Sequence, residues 1–480
     1  MTNAARIGAA FVFLAGLTVQ AQESEPPQLP PGLRPVEADE TKEEPELPPG
    51  LASPSAPATE EPALPPGLAD DPPAPDDGAE EEPGESKFPF ELHGFWEMRG
   101  GLRVQDDSVH SSDAILGETR LQLETEYTWD RFTLDFTGDL LLDAVLDEVD
   151  VDIRKLRING RLGDRVDYSI GRQVLTWGTG DLLFVNDLFP KDWQSFLAGR
   201  DVEYLKAPSD ALKLSWFGDA LNVDVVYTPQ FDPDRYITGE RISYYNPLFG
   251  ASAGEDMEVN ADEPDDWFKD DEIALRAYRT IGSTEVAVYA YDGYWKSPAG
   301  QQFIPMRATF PRLSVYGASV RGTIGKGVAN AEIGYYDSRD DRDGRNAFVD
   351  NSEFRLLVGY ERELGKEFTG AVQYYLVHLL DYDAYRDTLP FFVKPRDEDR
   401  HVLTVRLTKL LMDQDLTLSS FLFYSPSDGD AYWRPSVAYK IADDWEVSAG
   451  GNLFFGEADH TFFGQFQDNS NVYAGLRFSF

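Results

Sequence analysis

The sequence predicts an all-β fold: a transmembrane antiparallel β-barrel of about 18 strands, preceded by a disordered periplasmic tail rich in Pro and acidic residues. Three observations lead there. Apolar and polar residues alternate with period two through most of residues 87–480, the pattern of strands with one dry and one wet face. Tight turns rich in Gly, Asp and Lys alternate with longer polar loops. The one sustained apolar run, Gly8 to Val19, is too short for a bilayer-spanning helix, which needs roughly 20 residues.

Residues 1–21 read as a secretory signal. Arg6 supplies positive charge, the apolar run follows, and Val19-Gln20-Ala21 fits a small-residue cleavage site. No Cys occurs anywhere in the chain, so an exported protein of this sequence relies on burial and backbone pairing rather than disulfides.

Residues 22–86 are rich in Pro, Glu, Asp and Ala and poor in large apolar residues, so no core offsets the entropy of ordering them. Within this stretch one pentapeptide occurs three times: Leu29-Pro30-Pro31-Gly32-Leu33, Leu47-Pro48-Pro49-Gly50-Leu51 and Leu64-Pro65-Pro66-Gly67-Leu68. Pro-Pro pre-sets an extended backbone, and two Leu side chains suit pockets on a partner. Three copies act through effective concentration. The competing reading is a compositionally biased spacer.

The barrel segment, 87–480, opens with a strand near Phe90–Gln105. Eight tight turns follow, near Asp130-Arg131, Gly163-Asp164, Gly218-Asp219, Gly282-Ser283, Gly325-Lys326-Gly327, Gly365-Lys366, Asp413-Gln414-Asp415 and Ala442-Asp443-Asp444. Each has a strand on either side. Adding the first and last strands gives about 18. In the second strand Leu121, Leu123, Tyr127 and Trp129 oppose Arg120, Gln122, Glu124 and Glu126. In the fourteenth, Leu403, Val405 and Leu407 oppose Thr404, Arg406 and Thr408.

An Arg facing lipid at mid-bilayer costs about 2–4 kcal/mol, so charged residues of the strands are expected inside. Arg120, Arg157, Arg161, Arg172, Arg276, Arg321, Arg355, Arg406, Arg434 and Arg477 are candidate lumen residues. They serve either as wall-to-wall ion pairs or as a path for a charged or hydroxylated solute. Trp129, Trp216 and Trp445 adjoin tight turns and suit an aromatic girdle. Tyr294, Trp295, Tyr335, Tyr336, Phe423, Tyr424, Phe454 and Phe455 suit the opposite one.

Two loops are long. The first, about Leu175 to Asp210, carries Trp177, Phe184, Phe189 and Trp193, and a short helix is expected near Trp193–Leu197. A loop this apolar is expected to fold into the lumen as a constriction, with Trp177 and Trp193 against the wall. The second, about Phe231 to Asp270, is strongly acidic and reads as a solvated lid. Clustered carboxylates are also able to bind Ca²⁺ through oxygen ligands, but no EF-hand spacing is present, so calcium is the alternative to the lid and no metal ligand is assigned.

Other chemistry finds little support. Gly250-Ala-Ser-Ala-Gly254 matches a nucleophile pattern, but around Ser252 there is no strand-turn-helix context. The five His are scattered. Neither an enzyme nor a cofactor is expected. A net charge of -42 argues against nucleic acid as a partner.

The last ten residues, Asn471 to Phe480, alternate strictly and close on an aromatic. This resembles the terminal signal of bacterial outer-membrane barrels, which the β-barrel assembly machinery reads at the position of Phe480. Three segments together carry a wider resemblance: Glu91-Leu-His-Gly-Phe-Trp-Glu-Met-Arg-Gly-Gly-Leu-Arg103, the Gly171-Arg-Gln-x-x-x-Trp-Gly178 stretch with its Asn-Asp-x-x-x-Pro-Lys-Asp, and the last strand. They resemble large outer-membrane barrels of the alginate-export type, and more closely the related barrels that accompany RND-type exporters. Alginate exporters are expected to have a markedly basic lumen, whereas here Glu and Asp interleave with Arg.

The resemblance implies a barrel in the Gram-negative outer membrane, contacting its lipid, with the tail in the periplasm. The expected function is a channel or delivery barrel. It would be docked through the three repeats to a periplasmic or inner-membrane transport component of RND type. The alternatives are a stand-alone porin for a polar solute and a plugged lipid-handling barrel.

Overall fold

The computed structural model describes residues 91–480; the signal, the Pro/Glu-rich stretch and its three repeats lie outside the described residues. Eighteen strands form one closed sheet. They are β1 Leu92–Arg103, β2 Ala114–Thr128, β3 Phe132–Asp143, β4 Glu148–Leu162, β5 Val166–Val174, β6 Pro208–Phe217, β7 Asn222–Thr228, β8 Glu272–Ile281 and β9 Thr284–Tyr294. The second half comprises β10 Arg312–Ile324, β11 Gly327–Ser338, β12 Glu353–Gly365, β13 Phe368–Leu379, β14 Asp399–Leu411, β15 Leu416–Ser425, β16 Asp430–Ala442, β17 Trp445–Gly456 and β18 Asn471–Ser479.

Each of the eight anticipated turns joins two of these strands. The ring closes where β18 pairs antiparallel with β1, from Arg103 opposite Asn471 to Phe95 opposite Ser479. Phe480 and Gly94 extend this seam with two backbone hydrogen bonds of 3.0 Å. Closure leaves no sheet edge to hydrocarbon, which is what a spanning sheet requires.

Period two sets the two faces. On β14, Leu403 and Val405 are exposed while Thr404 and Arg406 are buried. Leu140, Val151, Ile158, Ile170, Val288, Val320, Ile333, Val358 and Val372 are likewise exposed. An apolar belt running round the outside of a closed barrel is a lipid-facing surface. Among the described residues no helix is long and apolar enough to cross a membrane. Trp129 stacks on Phe132 at 4.6 Å and Trp445 meets Phe478 at 4.9 Å, both beside tight turns.

Three expectations need correction. Adjacent aromatics cannot both face lipid, because successive side chains point to opposite faces. Tyr335 and Tyr424 are exposed, while Tyr336, Phe423, Phe454, Tyr294 and Trp295 are buried inside. Arg172 shares its outer face with Ile170 and lies opposite Leu156 and Asp210, 3.7 Å from the Asp210 carboxylate. It is therefore not a lumen residue. The first strand is also shorter than expected, at Leu92–Arg103.

Candidate functional site

Residues 175–207 leave β5, enter the barrel and return to β6. Each end of this loop is fixed to a different wall. On β11, Glu332 is almost fully buried. Its carboxylate accepts hydrogen bonds from Thr179 N–H, from Thr179 Oγ1 at 2.9 Å, from Asn186 N–H at 3.2 Å and from Asn186 Nδ2 at 2.8 Å. Tyr336 donates to the Val185 carbonyl at 2.6 Å. The wall has made room here: a Cβ on Gly317 of β10 would lie 1.8 Å from Asn186 Oδ1.

On β2, Glu118 accepts a fork of hydrogen bonds from Arg200, at 2.9 Å and 3.0 Å from Nε and 2.5 Å from Nη2. β2 and β11 stand nine strands apart in a ring of eighteen, so the loop is held at opposite sides of the barrel. With strands spaced about 4.8 Å and tilted about 40°, the barrel is roughly 35 Å across.

Between these anchors the loop forms α1, Trp193–Ala198, capped by the Asp192 side chain on Ser195 N–H. Gly199 follows in the left-handed region, φ 102°. Its open face lies against the Tyr473 ring, and a Cβ there would sit 2.4 Å from a ring carbon. Its carbonyl accepts from Arg99 Nη1 at 2.9 Å. Phe196 and Leu197 enter an aromatic cluster with Phe421, Phe423, Tyr432 and Phe454.

Candidate residues from the sequence fall into three groups. Four arginines hold the loop. Arg406 meets Asp181 at 2.7 Å and Glu361 at 2.8 Å. Arg434 donates to the Arg200 carbonyl at 3.2 Å and lies over Phe196. Arg477 reaches Glu97, Asp201 and Glu203 at 3.0–3.5 Å. Arg120 pairs with Asp139 and covers the Tyr204 ring.

A second group pairs along the wall. Arg157 pairs with Asp135, Arg161 with Asp167, Arg276 with Glu285, and Arg355 with Glu353. The third group is Arg321, which faces the lumen and makes no salt bridge among the described residues. Trp177 packs on Phe189 at 5.0 Å, and Trp193 Nε1 donates to Asp234 at 3.1 Å.

Sequence reasoning missed several anchors. Arg154 is the extra residue of a bulge, where β3 pairing skips from Lys155 to Ile153. The bulge turns Arg154 inward, to the Glu203 carbonyl and the Tyr204 ring. Arg99, Arg200, Glu332 and Tyr204 gave no signal beyond being polar residues in a barrel.

Burial shifts the loop's own carboxylates. It raises Asp181 to about 6, with Arg406 opposing and Glu361 reinforcing. It raises Glu203 to about 7, helped by the neighbouring Asp201.

A second loop, 229–271, closes over the first. Phe231, Arg241 and Ile242 are buried, and Arg241 pairs with both Asp143 and Glu118. Its acidic part, Glu255 to Asp266, stays at the exposed surface. His110, in the β1–β2 loop, bridges Asp107 to the Gly239 and Glu240 carbonyls. Burial opposes ionisation of Asp107, but hydrogen bonds from His110 and Val109 N–H outweigh it and hold the carboxyl at about 2.

No protein-family model matches the chain, and no curated protein matches it. Among solved structures it is similar to Pseudomonas aeruginosa OccK11 (OpdR), at 10% identity over 81% of this chain and 95% of that one, TM-score 0.47. It is also similar to a triple mutant of Rhodopseudomonas blastica porin (11%, 82% and 100%, TM-score 0.37). A third is an OmpT loop-deletion mutant, an outer-membrane protein of Vibrio cholerae (15%, 82% and 99%, TM-score 0.34).

Proposed function

We propose that the protein is an outer-membrane channel for a polar or charged solute, and that residues 175–207 form its gate. The observation that supports this most is the chemistry of the loop's attachment. Its two anchors are charge-assisted hydrogen bonds to lumen-facing Glu118 and Glu332. In a water-filled lumen these donors and acceptors find water as replacement partners when the loop moves, while Phe196 and Leu197 hold it inward through the aromatic cluster. Paired Arg and carboxylate groups along the wall give a solute with both charges a row of partners. The barrel carries no energy source of its own, so directionality belongs to a partner.

The three Leu-Pro-Pro-Gly-Leu repeats supply the contact to that partner, a periplasmic or inner-membrane transport component of RND type. The test is affinity capture from solubilised envelopes. The intact protein is compared with a form in which Leu29, Leu33, Leu47, Leu51, Leu64 and Leu68 are all Ser. A transport component retained only by the intact form is the expected result. Identical capture would leave a stand-alone porin.

The aromatic cluster of Phe196, Phe421, Phe423, Tyr432 and Phe454 favours a second reading, a plugged barrel that handles lipid. It differs in predicting negligible conductance and lipid held within the lumen.

A further inference from the structure

Most lumen arginines named above meet a carboxylate, whereas on the outer face some cations do not. Arg362 on β12 is on the lipid-facing side, in series with Val358 and Leu364, which are 47% and 48% exposed. Lys409 on β14 continues the outward series of Leu403 and Val405. Its Nζ reaches the Lys366 carbonyl in the β12–β13 turn at 2.6 Å. Lys366 itself is 89% exposed. These three cations bracket β13, because Arg362 is opposite Gly370 and Lys409 is opposite Phe368.

The wall beside them is apolar. Gly370 has no side chain, and Leu364 of one neighbouring strand and Leu407 of the other close over it, 2.6 Å and 3.4 Å from where a Cβ would be. Val372 and Val405 extend that wall towards the middle of the barrel, 54% and 39% exposed.

The apolar belt reaches this level. Ile281 and Ile324, each one residue from its tight turn, are 62% and 63% exposed. Arg362 lies three residues from its turn, so its guanidinium is within the belt unless it reaches for the interface. The carboxylates nearby are Glu361 and Glu363, on the lumen parity, and Glu367. Glu361 is taken by Arg406. Glu367 approaches Lys366 only at 3.9 Å, in an exposed pair of a kind worth little. Neither Arg362 nor Lys409 has a salt bridge among the described residues.

We propose that Arg362, Lys366 and Lys409 form a site for one anionic phospholipid of the leaflet that meets the tight turns. The phosphate lies between the three cations, and an acyl chain runs along Gly370, Val372 and Val405. A lipid phosphate fits because only a membrane component reaches an outward face below the water level. The cations discriminate anionic from zwitterionic headgroups.

The test is native mass spectrometry of the full-length protein released from micelles doped with phosphatidylglycerol or phosphatidylcholine. Each cation near an anionic lipid surface is worth about fivefold in binding. Replacing two of them, R362Q with K409Q, should therefore lower phosphatidylglycerol retention by about thirtyfold. Retention of phosphatidylcholine should not change. The charge-preserving pair R362K and K409R should retain the lipid, which separates charge from misfolding. A control at other turns, R131Q with R165Q, should behave as the unaltered protein. Equal retention of both lipids by the unaltered protein, or undiminished phosphatidylglycerol retention by R362Q/K409Q, would overturn the proposal.

Discussion

Glu332→Ala is the sharpest perturbation of the loop. The substitution removes the acceptor of two side-chain donors and of the backbone N–H groups of Thr179 and Asn186. Asn186 Nδ2 retains only a 3.4 Å contact with the Ala318 carbonyl, and Thr179 Oγ1 a 3.1 Å contact with Asn330. A buried N–H left without a partner costs about 1–3 kcal/mol, so two cost roughly 2–6 kcal/mol. The strands are untouched, so the loss falls on the inward position of the loop and not on the barrel. Hydrogen exchange reads this directly. A loss of 2 kcal/mol is about a thirtyfold rise in the population that exposes these amides, and exchange at Asn186 should accelerate by at least that. Glu332→Gln keeps one acceptor oxygen and should fall between the two. Unchanged exchange at Thr179 and Asn186 in the Ala variant would refute the assignment of Glu332 as the anchor.

Gly199→Val introduces a Cβ at φ 102° against the Tyr473 ring. It should loosen the loop by about 1–3 kcal/mol, seen as faster protease cleavage near residue 199 with the barrel intact. Acid should tighten the loop. Asp181 binds its proton more strongly in the buried position, near pH 6, than at its ordinary 3.8. Below 3.8 both positions are protonated, and the buried position is at its most stable. As pH rises from 3.8 to 6 the buried position loses stability, and above 6 the loss is complete. Single-channel openings should accordingly be fewer at pH 5 than at pH 7, and Asp181→Asn should reduce that difference. Val288→Arg, on the outer face of β9 and 54% exposed, should destabilise the barrel by about 2–4 kcal/mol in bilayer refolding titrations. Val288→Leu, an apolar change at the same lipid-facing position, should not.

The barrel was legible because its signals are local. Turn residues such as Gly325-Lys326-Gly327 and a strand such as Leu403–Leu407 carry their own period, so strand count and facing follow without long-range information. Signals failed where local periodicity breaks. The bulge at Arg154 inserts one residue and turns a side chain inward, and no composition marks it. Arg172 is a different case: the register through Ile170 and Gly171 is unbroken, so strict alternation itself places it outside. A strand must divide the aromatic doublets Tyr335-Tyr336 and Phe454-Phe455 between its two faces, so neither doublet belongs to a girdle as a unit. The aromatic content of residues 175–207 suggested an inward loop, but its sockets did not show. That Gly317 leaves space for Asn186 and that Glu118 meets Arg200 are facts of three-dimensional pairing between segments 82 or more residues apart.

Planar-bilayer conductance of the purified protein, alone and with residues 178–199 replaced by a short Gly-Ser link, addresses the gate most directly. The account predicts small, infrequent openings for the intact chain and a steady conductance severalfold larger once the crossing segment is gone. Equal, steady conductance from both would contradict it, because the segment between Glu332 and Glu118 would then be no obstacle to flow.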